Sequence, residues 1–458
     1  MSFYQELIDS QLKALGDQLF LPLSTLNDFT KDTVTTQLSP LTRFFCRNLA
    51  DKVLLQTRKI FIILVFIGKQ DTLRVILQDG LKDEDLPLSL HNDGSGHTLI
   101  SGNGKLFKSF STWNEVRVRD FLDKQWLVLA PVFDRSGQRI ELNTKCALPS
   151  LNSEYVAGEN ACMVYRGIVP PRHHAGFKED RVEVTIKEFR IKASFDKEEE
   201  NLLKIQNLEH KHLIKIIATC NREPSSYVIF PWADGGNLRE FWQSRDSQRT
   251  PDLILWSLQQ MFGLADGLKA LHDENCRHDV GVSKFHKEVT RLRNLPTNTK
   301  ATTPSYEAPE AHPDIKEPRS RVYDTWSMGC IYLEWIVWLL YGLDAVQRFR
   351  KVRTSDDPMI VAGSFYIHTH KGTPPVHPKV SEAVRALAED PRCREGTALG
   401  DLVGFIAEDL LVDPDSRGSA ANLSDQLEMI VHDALQRPSY LANRVDPPRN
   451  IPKFFTTP

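Results

Sequence analysis

The stretch that decides the fold runs from Leu271 to Glu310, LHDENCRHDVGVSKFHKEVTRLRNLPTNTKATTPSYEAPE. Its first part, LHDENCRH, closes a long pattern of apolar residues at helical spacing, and its last part, SYEAPE, ends a polar segment rich in Thr and Lys. The tripeptide DVG, which begins at Asp279, follows His278 directly. Motifs this short are chance-level matches when they stand alone, so their meaning depends on other segments of the chain.

Other segments accompany this stretch in a fixed order. On its N-terminal side, VTIK ends at Lys187 within an alternating strand pattern, and SYVIFPWADGG predicts a buried strand followed by a Gly-Gly turn. On its C-terminal side, YDTWSMG opens an apolar helix, and LVGFIAEDLLVDPDSRG carries Arg417. Several matches in order, with plausible spacing, are much more specific than any one of them.

Together these segments resemble the eukaryotic protein kinase superfamily, of the serine/threonine type. The resemblance runs from residue 154 to about residue 430. It implies an α+β, bilobal protein kinase-like fold, with a small β-rich lobe at 154–232 and a large helical lobe at 233–436. A small-molecule phosphotransferase would share the strand lysine and the D-x-G aspartate but not the SYEAPE, DTWSMG and Arg417 set, so a protein kinase is preferred.

The resemblance implies a nucleotide site in the small lobe. Lys187 takes the position of the lysine that neutralises the nucleotide phosphates, and its partner is an acid of SFDKEEE. Glu198 is preferred, while Glu199 and Glu200 stay open. The segment EYVAGENACMVYRGIV stands at the glycine-rich phosphate cover, but only Gly158 remains there, which disfavours tight nucleotide binding because side chains obstruct the approach of backbone amides to phosphate.

The resemblance also implies the other cofactor contacts. Phe230 takes the position that gates the pocket behind the adenine, and the backbone around Ala233 would meet the adenine edge. Asp279 of DVG would bind the metal, Gly281 would open the activation segment, and Thr303 would lie in its substrate-binding loop. The implied cofactors are ATP and Mg²⁺, and the implied reaction is phosphoryl transfer to Ser or Thr of a protein.

Four further residues are implied to have structural roles. Arg417 would form a buried ion pair with Glu310, and Asp324 would anchor backbone amides of a loop in the large lobe. His278 would belong to the hydrophobic spine of the fold. A buried pair such as Glu310 with Arg417 speaks for the fold rather than for catalysis, since removing one partner costs about 3–5 kcal/mol.

The family's catalytic loop, H-R-D-L-x-x-x-N, is absent between His278 and Asp279. We therefore predict that this chain, as written, is inactive or severely impaired in phosphoryl transfer, and the alternative function is that of a non-catalytic, pseudokinase-type scaffold or regulator. Loss of one block of about twenty residues is typical of a skipped exon or a mispredicted intron. We hypothesise that the gene encodes an intact kinase; transcripts that always join the two codons directly would refute this.

The flanking regions are less specific. Residues 1–135 predict a mainly helical interaction or packing domain, 136–153 a polar linker, and 437–458 a loosely ordered tail. The run IFIILVFIG at 60–68 is apolar on every side and is expected to be buried. A small helical domain ahead of a kinase-like domain is similar to the arrangement in many kinase-like proteins of filamentous fungi.

Composition excludes several functional classes. A net charge of -3 over 458 residues argues against a nucleic-acid or anionic-membrane binder, and protein partners or substrates stay unknown. The seven cysteines are scattered and favour reduced thiols in the cytosol or nucleus over disulfides or a zinc site. The N-terminus lacks the basic flank and apolar core of a secretory signal, and no apolar run approaches the length of roughly 20 residues that spans a bilayer.

Overall fold

The computed structural model describes residues 2–39, 48–92, 94–159, 162–248, 250–273, 303–311, 321–354, 362–367, 374–441 and 455. The chain divides into two compact units. The first comprises Met1–Glu200 and Lys215–Trp232, and the second comprises Asn201–Ile214 and Ala233–Pro458.

The first unit begins with short helices around an apolar core. In chain order they are α1 (Phe3–Asp9), α2 (Leu23–Asp28), α3 (Lys31–Gln37), α4 (Leu49–Gln56), α5 (Arg58–Phe66) and α6 (Leu73–Gln78). Helix α5 lies at the centre of this core, where the side chains from Ile60 to Val65 are at most 2% exposed. The burial predicted for the apolar run is confirmed, because a helix that is apolar on all sides must be enclosed.

Short strands accompany these helices. Strands β1 (Leu12–Lys13) and β2 (Leu19–Phe20) form a hairpin. A small antiparallel sheet follows, made of β3 (Leu88–Leu90), β4 (Leu99–Ser101) and β5 (Leu106–Phe107). Helix α7 (Glu115–Lys124) then begins at Asn114, whose side chain accepts a hydrogen bond from the amide of Arg117.

A larger sheet dominates the rest of the first unit. Its strands are β6 (Gln138–Glu141), β7 (Leu151–Glu159), β8 (Cys162–Val169), β9 (Val182–Phe189), β10 (Ala218–Arg222) and β11 (Ser225–Pro231). Within the described residues their order is β6-β10-β11-β9-β8-β7, and every neighbouring pair is antiparallel except β6 with β10. The predicted linker 136–153 thus contains an edge strand. Edge strands keep polar side chains in water, so their composition resembles that of a linker.

Helix α8 (Lys192–Gln206) follows β9 in the chain. Its residue Phe195 is fully buried and packs edge-on against Phe189 at the end of β9, with ring centroids 5.9 Å apart. This contact brings the first turns of the helix against the sheet, and it is these turns that carry the three consecutive glutamates.

The second unit is helical in the parts that the structure describes. Its helices are α9 (Leu238–Arg245), α10 (Pro251–Asp273), α11 (Val322–Tyr341), α12 (Leu343–Val352), α13 (Pro378–Glu389), α14 (Ala398–Phe405), α15 (Ala420–Gln436) and α16 (Pro438–Leu441). Helix α11 is buried along nearly its whole length, and α10 packs along α15. A π-helical turn, Ile406–Leu410, continues α14.

The described parts of the predicted tail are packed rather than loose. Tyr440 and Leu441 in α16 are buried, and Phe455 stacks on Tyr341 with ring centroids 4.8 Å apart. Aromatic side chains of this kind bury large areas. The high content of Pro, Asn and Arg predicts loose packing because it does not show where these few aromatic residues bind.

The described chain is thus α+β, with one large antiparallel-rich sheet, two small sheets and many helices, which agrees with the predicted class. Within the described ranges, no disulfide bond joins the cysteines Cys146, Cys162, Cys220, Cys330 and Cys393. Each helix in the described part of the chain is too short or too polar to cross a membrane.

Candidate functional site

The site is built around Lys187 on the central strand β9. This strand lies between β8 and β11, and Lys187 is paired with Val164 on one side and Val228 on the other. Its side chain is 0% exposed, and its ammonium nitrogen lies 4.8 Å from the ring centroid of Phe189. An ammonium group so far from water requires a charged or hydrogen-bonding partner.

Glu198 is that partner. Lys187 Nζ donates to Glu198 Oε1 at 2.9 Å, and the glutamate side chain is 20% exposed. The sequence left Glu199 and Glu200 open as alternatives. Glu199 instead binds Arg139 and Thr219, and Glu200 is exposed. The helix therefore directs Glu198 towards Lys187 on β9 and Glu199 towards strands β6 and β10.

Gly158 lies at the end of a tight hairpin. Strands β7 and β8 pair as far as Glu159 with Cys162, so two residues connect them. Gly158 has a φ of +139°, and a Cβ there would collide with the Cys162 carbonyl oxygen and lie 2.7 Å from the Met163 Cα. The Tyr155 hydroxyl also donates to the Gly158 carbonyl at 2.9 Å. Glycine is thus required by the hairpin itself, independently of any ligand.

Replacing Gly158 with alanine is expected to lower the free energy of unfolding by about 2 kcal/mol, because non-glycine residues are strained at this φ. Urea denaturation followed by circular dichroism measures the change. Gly102→Ala is the control, since a Cβ at Gly102 meets no atom within 4 Å, and it should shift stability by less than about 0.5 kcal/mol. Equal effects of the two substitutions would show that the hairpin geometry has been misjudged.

The two residues predicted at the adenine belong to different units. Phe230 is 7% exposed on β11, where it pairs with Thr185 of β9. The amide of Trp232 donates to the Glu183 carbonyl at 3.1 Å and so extends the sheet by one bond. Ala233 is exposed and begins the longer segment of the second unit.

The residues predicted to have structural roles in the second unit make close contacts. Arg417 donates two hydrogen bonds to Glu310, at 2.6 and 3.2 Å, and its side chain is fully buried. Asp324 is also buried, and its carboxylate lies 3.1 Å from Nε2 of His272 at the end of α10. The bidentate pairing of Arg417 with Glu310 fixes the direction of both of these side chains.

Other predicted residues lie outside what can be described. His278, Asp279 and Gly281 fall outside the described residues, and the side chain of Thr303 does too, although its backbone opens a 3₁₀ turn, Thr303–Tyr306. In the described ranges, no group of three or more His, Cys, Asp or Glu side chains is arranged to hold a metal ion.

A buried charge network in the second unit was not predicted. Arg353 at the end of α12 donates to Glu334 of α11 at 2.5 Å, and Tyr306 donates to the other oxygen of Glu334 at 2.6 Å. Burial, with Glu334 close by, raises the pKa of Tyr306 well above its usual value, so its hydroxyl stays a donor. The available signal was Glu334 itself, a carboxylate in the middle of a helix that is apolar on either side of it.

Comparison with known families adds one finding. Residues 155–280 match the family model described as protein tyrosine and serine/threonine kinase. The match begins within β7, includes Lys187 and Glu198, and ends one residue after Asp279. It supports a place for this part of the chain in the protein kinase superfamily.

Proposed function

We propose that this chain is a kinase-like protein that binds a nucleotide phosphate through Lys187 but, as written, transfers no phosphoryl group. The observation that carries the proposal is the 2.9 Å contact between the buried Lys187 ammonium and Glu198. A lysine held in this way offers a fixed positive charge to phosphate oxygens at little cost in side-chain entropy.

The residues present fit the implied ATP only in part. Lys187 supplies a charge for the phosphates, and Glu198 fixes its direction. The tight β7–β8 hairpin closes on itself through Tyr155 and Gly158, so weak rather than tight binding is expected. Bound ATP would supply a transferable phosphoryl group and Mg²⁺ would neutralise its charge. Asp279 would bind the metal. This role rests on the resemblance of DVG to the D-x-G motif and on no structural contact.

We further propose that residues 154–232 form the small lobe and residues 233–436 the large lobe of a kinase fold, and that the chain acts as a scaffold or regulator through protein contacts. The paired Glu310 and Arg417 favour a folded helical unit even without a catalytic loop. The intact family would phosphorylate Ser or Thr, and the scattered cysteines of the sequence favour the cytosol or nucleus.

Replacing Lys187 with methionine tests the nucleotide site. Titration of the full chain with a fluorescent ATP analogue and Mg²⁺ should show binding that the substitution weakens by about 10- to 100-fold, because a charge-assisted contact contributes about 1.5–3 kcal/mol. Lys197→Met is the matched control, since Lys197 is an exposed lysine of α8 beside Glu198, and it should leave the Kd unchanged. Absence of binding by the unmodified chain would overturn the nucleotide proposal.

A phosphate-transfer assay with the same proteins tests the second half of the proposal. No transfer to a Ser- and Thr-containing protein substrate is expected, since the catalytic aspartate and asparagine have no counterpart in the sequence. Transfer by the full chain that Lys187→Ala abolishes would show that the chain is an active kinase.

A further inference from the structure

Strand β6 joins the sheet from outside the segment that matches the kinase family. Its register pairs Arg139 with Thr219 of β10, in the parallel direction. At its two ends, the amide of Gly137 donates to Ile217 and the amide of Leu142 donates to Asn221, at 3.2 and 2.8 Å. The strand is therefore fixed along its whole length by backbone hydrogen bonds.

The side chain of Arg139 reaches from this strand to α8. Its Nη1 donates to Glu199 Oε2 at 2.5 Å, while its Nε donates to Glu141 of the same strand at 2.8 Å. Glu199 is almost fully buried, with its side chain 5% exposed, whereas that of Arg139 is 43% exposed. The buried carboxylate thus obtains its counter-charge from a strand at the edge of the sheet.

Thr219 completes the attachment. Its hydroxyl, on β10, donates to the second oxygen of Glu199 at 2.5 Å, and the threonine is 0% exposed. Both oxygens of Glu199 are therefore bound by residues of the sheet, one by a cation and one by a hydroxyl. A buried carboxylate with both oxygens satisfied has a single favourable position.

Glu198 and Glu199 are consecutive residues of one helix, so their side chains point about 100° apart. One binds Lys187 in the middle of the sheet, and the other binds Arg139 of the edge strand β6 and Thr219 of its neighbour β10. The two contacts together fix both the rotation of α8 and its distance from the sheet. Loss of the Glu199 contact leaves the rotation of the helix to be set by Glu198 and by the packing of Phe195 on Phe189.

We propose that Arg139 is a positioning residue, which holds α8 through Glu199 in the orientation that brings Glu198 to Lys187. By this proposal, strand β6, which precedes the kinase-like region, influences the contact between Glu198 and the nucleotide-binding Lys187. The role in nucleotide affinity rests on the proposed function, whereas the role in holding the helix does not.

The first test measures hydrogen–deuterium exchange of the full chain without nucleotide. Arg139→Ala should raise the exchange of α8 amides by about fivefold or more and leave the core helix α5 protected. Arg172→Ala is the matched control. It removes an exposed ion pair with Asp28, at 2.7 Å, that also joins the N-terminal helices to the region after β8 but does not involve α8. It should leave α8 exchange unchanged.

Glu199→Gln provides a second variant in case Arg139→Ala also loosens α5. It keeps an acceptor for Thr219 and removes the charge that Arg139 binds, so it should raise α8 exchange in the same way. The double variant should show no larger effect than the single ones, because both remove one interaction. Unchanged α8 exchange in folded Arg139→Ala or Glu199→Gln would overturn the proposal.

The second test titrates the same variants with the fluorescent ATP analogue and Mg²⁺. Arg139→Ala should raise the Kd by about fivefold, the lower end of typical coupling between sites, and Arg172→Ala should not. If the unmodified chain binds no nucleotide, the proposed function fails while the exchange experiment still decides the role of Arg139. If it binds and Arg139→Ala leaves the Kd unchanged, the link from Arg139 to the nucleotide site is refuted.

Discussion

Replacing Arg353 with methionine is expected to lower the free energy of unfolding of the helical unit by about 3–5 kcal/mol, the loss typical when one partner of a buried ion pair is removed. The Arg353 side chain is 0% exposed, and its guanidinium lies between the rings of Phe349 and Phe365, 4.0 and 3.8 Å from their centroids. Without it, Glu334 is left buried and keeps the Tyr306 hydroxyl as a neutral partner.

Denaturation in guanidinium chloride, followed by tryptophan fluorescence, measures this change. Trp326, Trp335 and Trp338 lie on α11, the helix that carries Glu334, so three of the eight tryptophans report directly on the affected helix. Lys351→Met on the same helix as Arg353 is the control, because Lys351 is exposed and its loss should cost less than about 0.5 kcal/mol.

A second comparison separates the buried charge from the loss of packing. Combining Arg353→Met with Glu334→Leu and Tyr306→Phe removes every polar member of the network, and much of the lost stability should return, since apolar replacement of a whole buried ion pair is often neutral. A triple variant as unstable as Arg353→Met alone would mean that aromatic stacking of the guanidinium, rather than its charge, stabilises the unit.

This network shows how far the sequence could lead. Glu334, a carboxylate in the middle of the apolar helix YDTWSMGCIYLEWIVWLLY, indicates a buried partner, because isolated buried charge is costly. It does not say which partner, since four basic residues follow in RFRKVR and have the spacing of an ordinary solvated face. Only the packing of α12 against α11 selects Arg353.

The acids of α8 illustrate the same limit. The position of VTIK predicts Lys187, and a run of glutamates after it predicts an acidic partner nearby. Three consecutive glutamates point in three directions, so the rotation of the helix decides which one meets the lysine. That rotation depends in part on Arg139, which lies in a polar stretch that composition alone assigns to a linker.

The stability of the sheet-containing unit is expected to depend on His173 below neutral pH. His173 is 1% exposed; its Nε2 accepts a hydrogen bond from the amide of Leu23 at 3.1 Å, and its Nδ1 donates to the Pro131 carbonyl at 2.9 Å. Burial lowers the pKa of His173 to about 4, with Lys59 and His174 adding smaller repulsions. Protonation of His173 would put an N–H on Nε2, which would then face the N–H of Leu23 and could no longer accept its hydrogen bond.

The direction of the effect follows from the two pKa values. The unfolded chain takes up a proton on His173 near pH 6.5, and the folded chain does so only near pH 4. The stabilisation is therefore complete above about pH 7 and is lost as the pH falls from 6.5 to 4, by about 3 kcal/mol in all. His173→Gln cannot titrate, so its stability deficit relative to the unmodified chain should shrink by this amount between pH 7.5 and pH 4.

Measuring a difference between proteins is essential, because Asp83 titrates over the same range with the opposite sign. Burial raises the pKa of Asp83 to about 6, although its carboxylate accepts hydrogen bonds from the amides of Lys59 and Ile60. Its ionisation therefore costs stability as the pH rises from 3.8 to 6. In urea denaturation at the two pH values, the deficit of Asp83→Asn should grow on acidification while that of His173→Gln shrinks. A His173→Gln deficit that is equal at both values would mean that the buried imidazole is not held neutral by its surroundings.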